Sequence, residues 1–277
     1  MVDIGDMDSI CNHIDSQRYS YITLLSTDDY LPGVLSLYLS LLSVNAKYPL
    51  TVVLSNSISE SNERVLDSLN IITHRITQSL QCPNGVNEDT RFASWKYTFD
   101  KLQIFGLTEY EKLVYLDSDM MVCRNIDHLF EKPHMSAVIA DVFDNPKCNH
   151  LNSGLMVIQP SKSDCDKLIS IFSFHHFNEP NWGDQDVIRL CYPNWPTRLE
   201  CHLDISYNLF FWHIRHYANS RGIFVVHFVG VKKPWQYSIR AIYRRIKMYG
   251  NASYMLRYIW LIKKSKYLAF FIKGFIK

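Results

Sequence analysis

From Lys232 to the C-terminus the chain has no aspartate or glutamate, although it holds 27 acidic residues in 277. Twelve of its 29 Lys and Arg lie in that stretch, so the first 231 residues carry 17 basic against 27 acidic side chains, a balance of −10. The net charge of +2 therefore combines an acidic body with a basic tail, and it gives no global case for nucleic-acid binding. Other absences are equally informative. No GxGxxG and no GxxxxGK[ST] is present, which removes the usual dinucleotide and P-loop phosphate sites. The seven cysteines (Cys11, Cys82, Cys123, Cys148, Cys165, Cys191, Cys201) form no CxxC pair, so a zinc ribbon or disulfide framework is not expected and a reducing compartment fits. No apolar run reaches the ~18 residues of a membrane-spanning helix. The opening "MVDIGDMDSICNHIDSQ" is acidic and polar, unlike a secretory leader.

What is present alternates. "YSYITLLST" reads as a strand and "LPGVLSLYLSLLS" as a helix with Pro32 in its first turn. "LTVVLS" is a strand, Ser59 to Leu69 a helix, "IITHRI" a strand, "YTFDKLQIFGL" a helix and "KLVYL" a strand. This order predicts an α/β domain with a mostly parallel sheet, whose ligands bind beyond the carboxyl ends of the strands. Further strands are expected in "MSAVIADV", "SGLMVIQPS" and "GIFVVHFVG", with helices from Ser163 to Phe174 and after "NWGDQD". The boundaries read as an extension over 1–18, a domain over 19–237 and a basic tail over 238–277.

Four segments carry chemistry. "LDSDMMV" puts Asp117 and Asp119 at a strand end, where side chains two apart share a face; this is either a divalent-cation site of hard oxygens or a polar turn. "VVHFVGVKKPW" puts His227 in an apolar strand, as a core histidine or a further metal ligand, with Lys233 placed to meet a phosphate. Asn152, Ser153 and Gly154 read as a polar turn before a strand, able to meet sugar hydroxyls. Asp184 in "NWGDQD" either caps a helix or faces a reacting sugar.

In this order these segments, together with "TLLSTDDYLPGVLSLYLSL", "DKLQIFGLTEYEKLVYLDSDMMVCRNIDHLF" and "YNLFF", resemble the glycogenin-like retaining glycosyltransferases of family 8, from about Tyr19 to Tyr237. The resemblance implies a GT-A nucleotide-sugar fold, a UDP-sugar donor and Mn²⁺, with Mg²⁺ as the other hard cation. It implies metal ligation by Asp117, Asp119 and His227, and a uridine loop at Leu24, Ser26, Thr27 and Tyr30. Lys101 then lies near the donor sugar and diphosphate, and Ser118 against the ribose. Asn152, Ser153 and Gly154 face the sugar. Asp184 and Gln185 flank the anomeric carbon, Gly230 and Lys233 clamp the diphosphate, and Arg91 is the phosphate-side arginine. The sequence departs from the family at Thr27, where Asn is usual. It also departs at Arg215, the position eight after Tyr207 that glycogenin uses for self-glucosylation, and at Asn181, where glycogenin is acidic.

The expected activity is transfer of a hexose, glucose or galactose, to a separate glycan or glycolipid acceptor. A self-glycosylating primer and a non-catalytic sugar-nucleotide adaptor are the alternatives. The tail mixes Arg and Lys with Tyr243, Tyr249, Trp260, Tyr267, Phe270 and Phe271. That pattern predicts peripheral attachment to an anionic membrane on its cytoplasmic face, against the alternative of a helix packed on the body. Oligomeric state has no signal in the sequence.

Overall fold

A computed structural model describes residues 18–80, 98–140, 143, 145–174, 183–217, 222–250 and 252–275. The apolar runs become strands buried on both faces. β1 (Tyr19–Leu25) is followed by α1 (Leu31–Ser43), β2 (Leu50–Leu54), α2 (Glu60–Asp67), β3 (Ile72–Arg75) and β4 (Lys112–Leu116). β5 (Met120–Val122), β6 (Ala137–Ile139), β7 (Leu151–Ile158), α3 (Lys162–Phe174) and α4 (Asp184–Cys191) come next. β8 (His202–Leu203), β9 (Leu209–Phe210), β10 (Val225–His227), α5 (Ile239–Tyr249) and α6 (Ala252–Phe275) complete the described chain.

The large sheet has the order β3-β2-β1-β4-β7-β6-β8, with β7 antiparallel to both its neighbours and the other pairings parallel. Its two faces fill two cores, as period-two alternation requires. Tyr21, Val114, Leu116 and Val157 pack under α1, while Ile22, Leu113, Tyr115 and Met156 pack under α3 and α4. A small sheet, β5-β10-β9, branches from the end of β4.

Three elements differ from the sequence-based expectation. "YTFDKLQIFGL" forms a 3₁₀ helix over Phe99–Gly106, not an α-helix. Its fully buried Phe99, Leu102 and Phe105 recur every three residues, the spacing that aligns side chains on a 3₁₀ helix. Asn152, Ser153 and Gly154 lie within β7 and not in a turn before it, because the carbonyl of Gly154 accepts from Asp117 N at 2.8 Å and extends the pairing past β4. Asp184 is the first helical residue of α4 and not its cap; Gly183 occupies the cap, its N–H donating to Asp186 Oδ2 at 3.0 Å.

The basic tail forms two helices. α5 is capped at its start by Ser238, whose hydroxyl accepts from Ala241 N at 3.2 Å, and at its end by Gly250, whose φ of +67° suits glycine. α6 lies on α1 and on the small sheet. Met255, Tyr258, Leu261, Ile262 and Ser265 are buried there, and Tyr258 stacks on Phe228 with centroids 4.0 Å apart. Ser265 Oγ donates to Pro32 O at 3.2 Å and Lys266 Nζ to Trp235 O at 2.9 Å. The opposite face of the same helix exposes Leu256, Trp260, Tyr267, Phe270 and Phe271. No helix among the described residues is long and apolar enough to cross a membrane.

Candidate active site

Beyond the carboxyl ends of β1 and β4 lies a cavity of about 710 Å³. Fifteen of the sequence-predicted residues line it: Leu24, Ser26, Tyr30, Lys101, Asp117, Ser118, Asp119, Asn152, Ser153, Gly154, Asp184, Gln185, His227, Gly230 and Lys233. Thr27 is not in its lining; its carbonyl instead closes the turn before α1, accepting from Tyr30 N at 3.0 Å. Arg91 lies outside the described residues.

The two aspartates sit where the chain leaves the large sheet for the small one. β4 ends at Leu116, and β5 begins at Met120, whose register partner in β10 is His227. That pairing brings the imidazole beside both carboxylates. Each carboxylate has one oxygen held by a protein donor and one turned to a shared point. Asp117 Oδ1 accepts from Tyr115 Oη at 2.7 Å and meets Lys101 Nζ at 3.1 Å. Asp119 Oδ2 meets Lys233 Nζ at 2.6 Å. The remaining oxygens, Asp117 Oδ2 and Asp119 Oδ1, lie 3.7 and 3.0 Å from His227 Nε2. One ligand atom from each of the three residues falls within 4.8 Å of the other two.

A hydrogen-bond relay fixes which nitrogen of His227 faces that point. The N–H of Gly154 can only donate, and it does so to Asn152 Oδ1 at 2.9 Å. That oxygen is therefore an acceptor for Asn208 Nδ2, 2.7 Å away. The other end of the Asn208 amide, Oδ1, must then accept, and it lies 2.8 Å from His227 Nδ1. In the Nδ1–H tautomer, His227 turns the lone pair of Nε2 toward two carboxylate oxygens. Three ligand atoms converging on one point in this way form a donor set that fits a divalent metal.

Lys101 is almost fully buried, 3% exposed, and serves two carboxylates: Asp117, and Asp184 Oδ2 at 2.7 Å. Burial pushes its ammonium toward the neutral form, but Asp117 and Asp184 together outweigh burial and hold the pKa above the ordinary lysine value. The same contest is resolved likewise at Lys233 through Asp119. Burial raises Asp119 and the Lys233 ammonium beside it opposes burial, so this carboxyl lies well below the usual range. Asp184 Oδ2 also accepts from Ser153 Oγ at 2.8 Å, and Gln185 Oε1 accepts from Ser153 N at 3.1 Å.

Two glycines are required by close approach. A Cβ on Gly154 would stand 2.8 Å from the His227 ring and 3.0 Å from Asp117 Oδ2. A Cβ on Gly33 would stand 2.5 Å from Ser118 O and 2.6 Å from the Trp235 ring, so α1 could not seat against the aspartate turn.

Sequence reasoning missed Tyr115, Asn208 and Phe210. Tyr115 could have been found: it precedes Asp117 by two in a strand, on the same face. Asn208 and Phe210 lie within "YNLFF", which marks a segment without assigning roles. The Phe210 ring packs edge-on to His227 with centroids 5.5 Å apart.

The chain matches the sequence profile described as "Glycosyl transferase family 8" over residues 21–238. It is 30% identical to human "Glycogenin-1" over 232 residues, covering 79% of this chain and 63% of that protein, less than two thirds of its length. It is 30% identical to "UDP-glucuronate:xylan alpha-glucuronosyltransferase 2" of Arabidopsis thaliana, covering 79% of this chain and 36% of that one. The galactosyltransferase LgtC, solved in complex with donor and acceptor sugar analogs, superposes with a TM-score of 0.60 at 16% identity, over 83% of this chain and 95% of LgtC. The fold is thus that of the GT-A glycosyltransferases, and the chain belongs to glycosyltransferase family 8.

Proposed function

We propose that the protein is a divalent-cation-dependent, retaining glycosyltransferase that moves a hexose from a UDP-sugar to a separate glycan or glycolipid acceptor. The observation that carries this reading is the Gly154–Asn152–Asn208–His227 relay, which aims a lone pair at the carboxylates of Asp117 and Asp119. A cation held by Asp117, Asp119 and His227, Mn²⁺ or the comparably hard Mg²⁺, would offset the charge that builds on the leaving UDP. Lys233 and Gly230 stand at the same mouth, where a lysine serves phosphate as a point charge. Lys101 bridges Asp117 and Asp184. Asp184 then presents a fixed negative charge to a positive anomeric centre, and Gln185 is oriented by the backbone of Ser153. Leu24, Ser26 and Tyr30 line the end assigned to uridine.

The relatives act on different sugars, as "UDP-glucuronate:xylan alpha-glucuronosyltransferase 2" and tomato "Galactinol synthase 1" show by name, so the donor hexose is left open between glucose, galactose and their relatives. Arg215 at the self-glucosylation position favours a separate acceptor over self-priming. The deciding experiment incubates the protein with a panel of UDP-sugars and Mn²⁺ and reads UDP release, with intact mass measured in parallel. Release from at least one UDP-sugar, silenced by EDTA and by Asp119→Ala, is expected. Equal turnover in excess EDTA would refute the metal site, and mass gain by one hexose would favour the primer.

The tail supplies a location within the same proposal. Eight large apolar side chains of α5 and α6 are exposed: Ile239, Tyr243, Met248, Leu256, Trp260, Tyr267, Phe270 and Phe271. They stand among cations with no acidic residue in the stretch. Such a face suits peripheral binding to an anionic bilayer, with α6 held on the body by its inner face.

A further inference from the structure

A second cavity, of about 310 Å³, lies across a strip of backbone from the donor cavity. Val229, Gly230 and Val231 wall both. Phe210 lines the donor side and Trp212 the far side, and their rings meet edge to face with centroids 5.4 Å apart. The far wall is α5, which contributes Arg245 and Tyr249. No residue implied by the family resemblance lines this cavity except Gly230, which it shares with the donor site.

The lining has a definite chemistry: five aromatic rings, two cations and no carboxylate. The Arg245 guanidinium lies 3.9 Å over the Tyr237 ring and forms no ion pair with a carboxylate among the described residues. An arginine stacked in this way keeps its edge donors available for a planar anion. Lys232 adds a second positive charge. The Trp212 indole N–H is already satisfied, donating to His213 Nε2 at 2.9 Å, so the ring faces of Trp212 are what it offers a ligand. Apolar walls with a few convergent charges describe a ligand site, and the sign of those charges sets the ligand.

We propose that this cavity receives the negatively charged portion of the acceptor: a saccharide bearing a phosphate or a carboxylate. Its ring lies on the aromatic wall and its anion meets Arg245 and Lys232. The proposal rests on the reading of the neighbouring cavity as the UDP-sugar site. An acceptor must place one hydroxyl in that cavity and lodge the rest outside it, and the Phe210–Trp212 pair is the boundary it would cross.

The test is calorimetric titration of the full chain, with and without UDP and Mn²⁺. The probes are methyl β-D-glucopyranoside, its 6-phosphate, methyl β-D-glucuronide and octyl β-D-glucopyranoside. A charge-assisted contact predicts that the phosphate and the uronide bind at least about tenfold more tightly than the neutral methyl glycoside. Arg245→Gln should reduce that preference to below about threefold, and the exposed Lys232→Gln should reduce it in part. The two anionic probes separate a phosphate site from a carboxylate site. Three outcomes overturn the proposal: no preference for anions in the wild type, including no binding of any probe; a preference intact in both variants; or tightest binding of the octyl glycoside, which would make this a groove for an alkyl chain. Failure to bind UDP would sink the donor reading instead, because the titrations without UDP still decide the second cavity.

Discussion

Asn208→Ala tests the relay without touching Asp117, Asp119 or His227, the proposed metal ligands. Asn208 is 2% exposed, and its amide makes two contacts, 2.7 Å to Asn152 Oδ1 and 2.8 Å to His227 Nδ1. Alanine removes both. Asn152 Oδ1 keeps its bond from Gly154 N, so the second contact leaves no orphan, whereas His227 Nδ1 loses its partner. The fold should lose about 1–3 kcal/mol, the range for a buried donor left unpaired. The larger effect is on the imidazole, which becomes free to rotate and to carry its proton on Nε2, where it blocks the lone pair. Loss of such an orienting partner lowers metal affinity by about 10–100-fold, or roughly 1.4–2.8 kcal/mol. Free Mn²⁺ measured by electron paramagnetic resonance in the presence of UDP reads this directly. Asn208→Asp is the informative companion. Its carboxylate can still accept from Nδ1 but cannot donate to Asn152, so it should retain more Mn²⁺ affinity than alanine while costing stability. If Asn208→Ala melts cooperatively and binds Mn²⁺ within about twofold of wild type, the relay does not set the tautomer.

Lys101→Met should abolish turnover and destabilise the fold by about 3–5 kcal/mol, since it strands the carboxylates of Asp117 and Asp184 beside one another; an unchanged denaturation midpoint would contradict this. Gly154→Ala should cost about 1–3 kcal/mol and weaken Mn²⁺ binding, because its Cβ meets the His227 ring at 2.8 Å; calorimetry on the variant checks both. His134 is a source of acid lability. Burial holds its pKa below the ordinary 6.5 despite Asp164, and its Nδ1 accepts from Gln159 N at 2.9 Å, so the neutral ring is the folded form. A histidine depressed in the fold adds no penalty above its ordinary pKa and costs stability as pH falls from 6.5 toward the lower folded value. The drop in Tm between pH 7.5 and 5.5 should therefore be smaller in His134→Gln than in wild type, and equal drops would refute the assignment. Replacing Trp260, Phe270 and Phe271 together by alanine should leave the melt unchanged, since all three are exposed, and should reduce pelleting with phosphatidylglycerol vesicles. Equal pelleting of variant and wild type would remove this face from membrane binding.

The strand–helix alternation and the meeting of Asp117, Asp119 and His227 were legible in the sequence because each has a local signature; the order of the strands in the sheet was not. Apolar runs ending in Asp117 and Asp119, or containing His227, state both the strand and what stands at its end. The 3₁₀ form of Phe99–Gly106 was less legible, since a period of three is short of one full contrast with 3.6 over eight residues. What could not be read is what depends on pairing across the sheet. The position of Asn152 in a strand follows from Asp117 N reaching Gly154 O, and the role of Asn208 follows from three amides meeting in space. The tail was ambiguous for a different reason. Its apolar residues occupy two faces of α6, so a search for one apolar stripe sees neither, and only packing shows that Met255, Tyr258 and Ile262 turn inward.

The seat of α6 on α1 also has a consequence for synthesis. Ser36 and Ser265 touch across a separation of 229 residues, and Asn62 and Lys273 across 211. The ribosome makes α1 first and the helix that covers it far later, so at ~5–20 residues per second the outward face of α1 waits roughly 10–45 s for its partner. During that interval Leu39, which in the finished protein shares a cluster with Met255 and Tyr258, lacks these two partners. The nascent protein is therefore a natural client for a chaperone that recognises short apolar helix faces. Slow codons placed after β10 would lengthen the exposure, without altering a single residue of the folded protein.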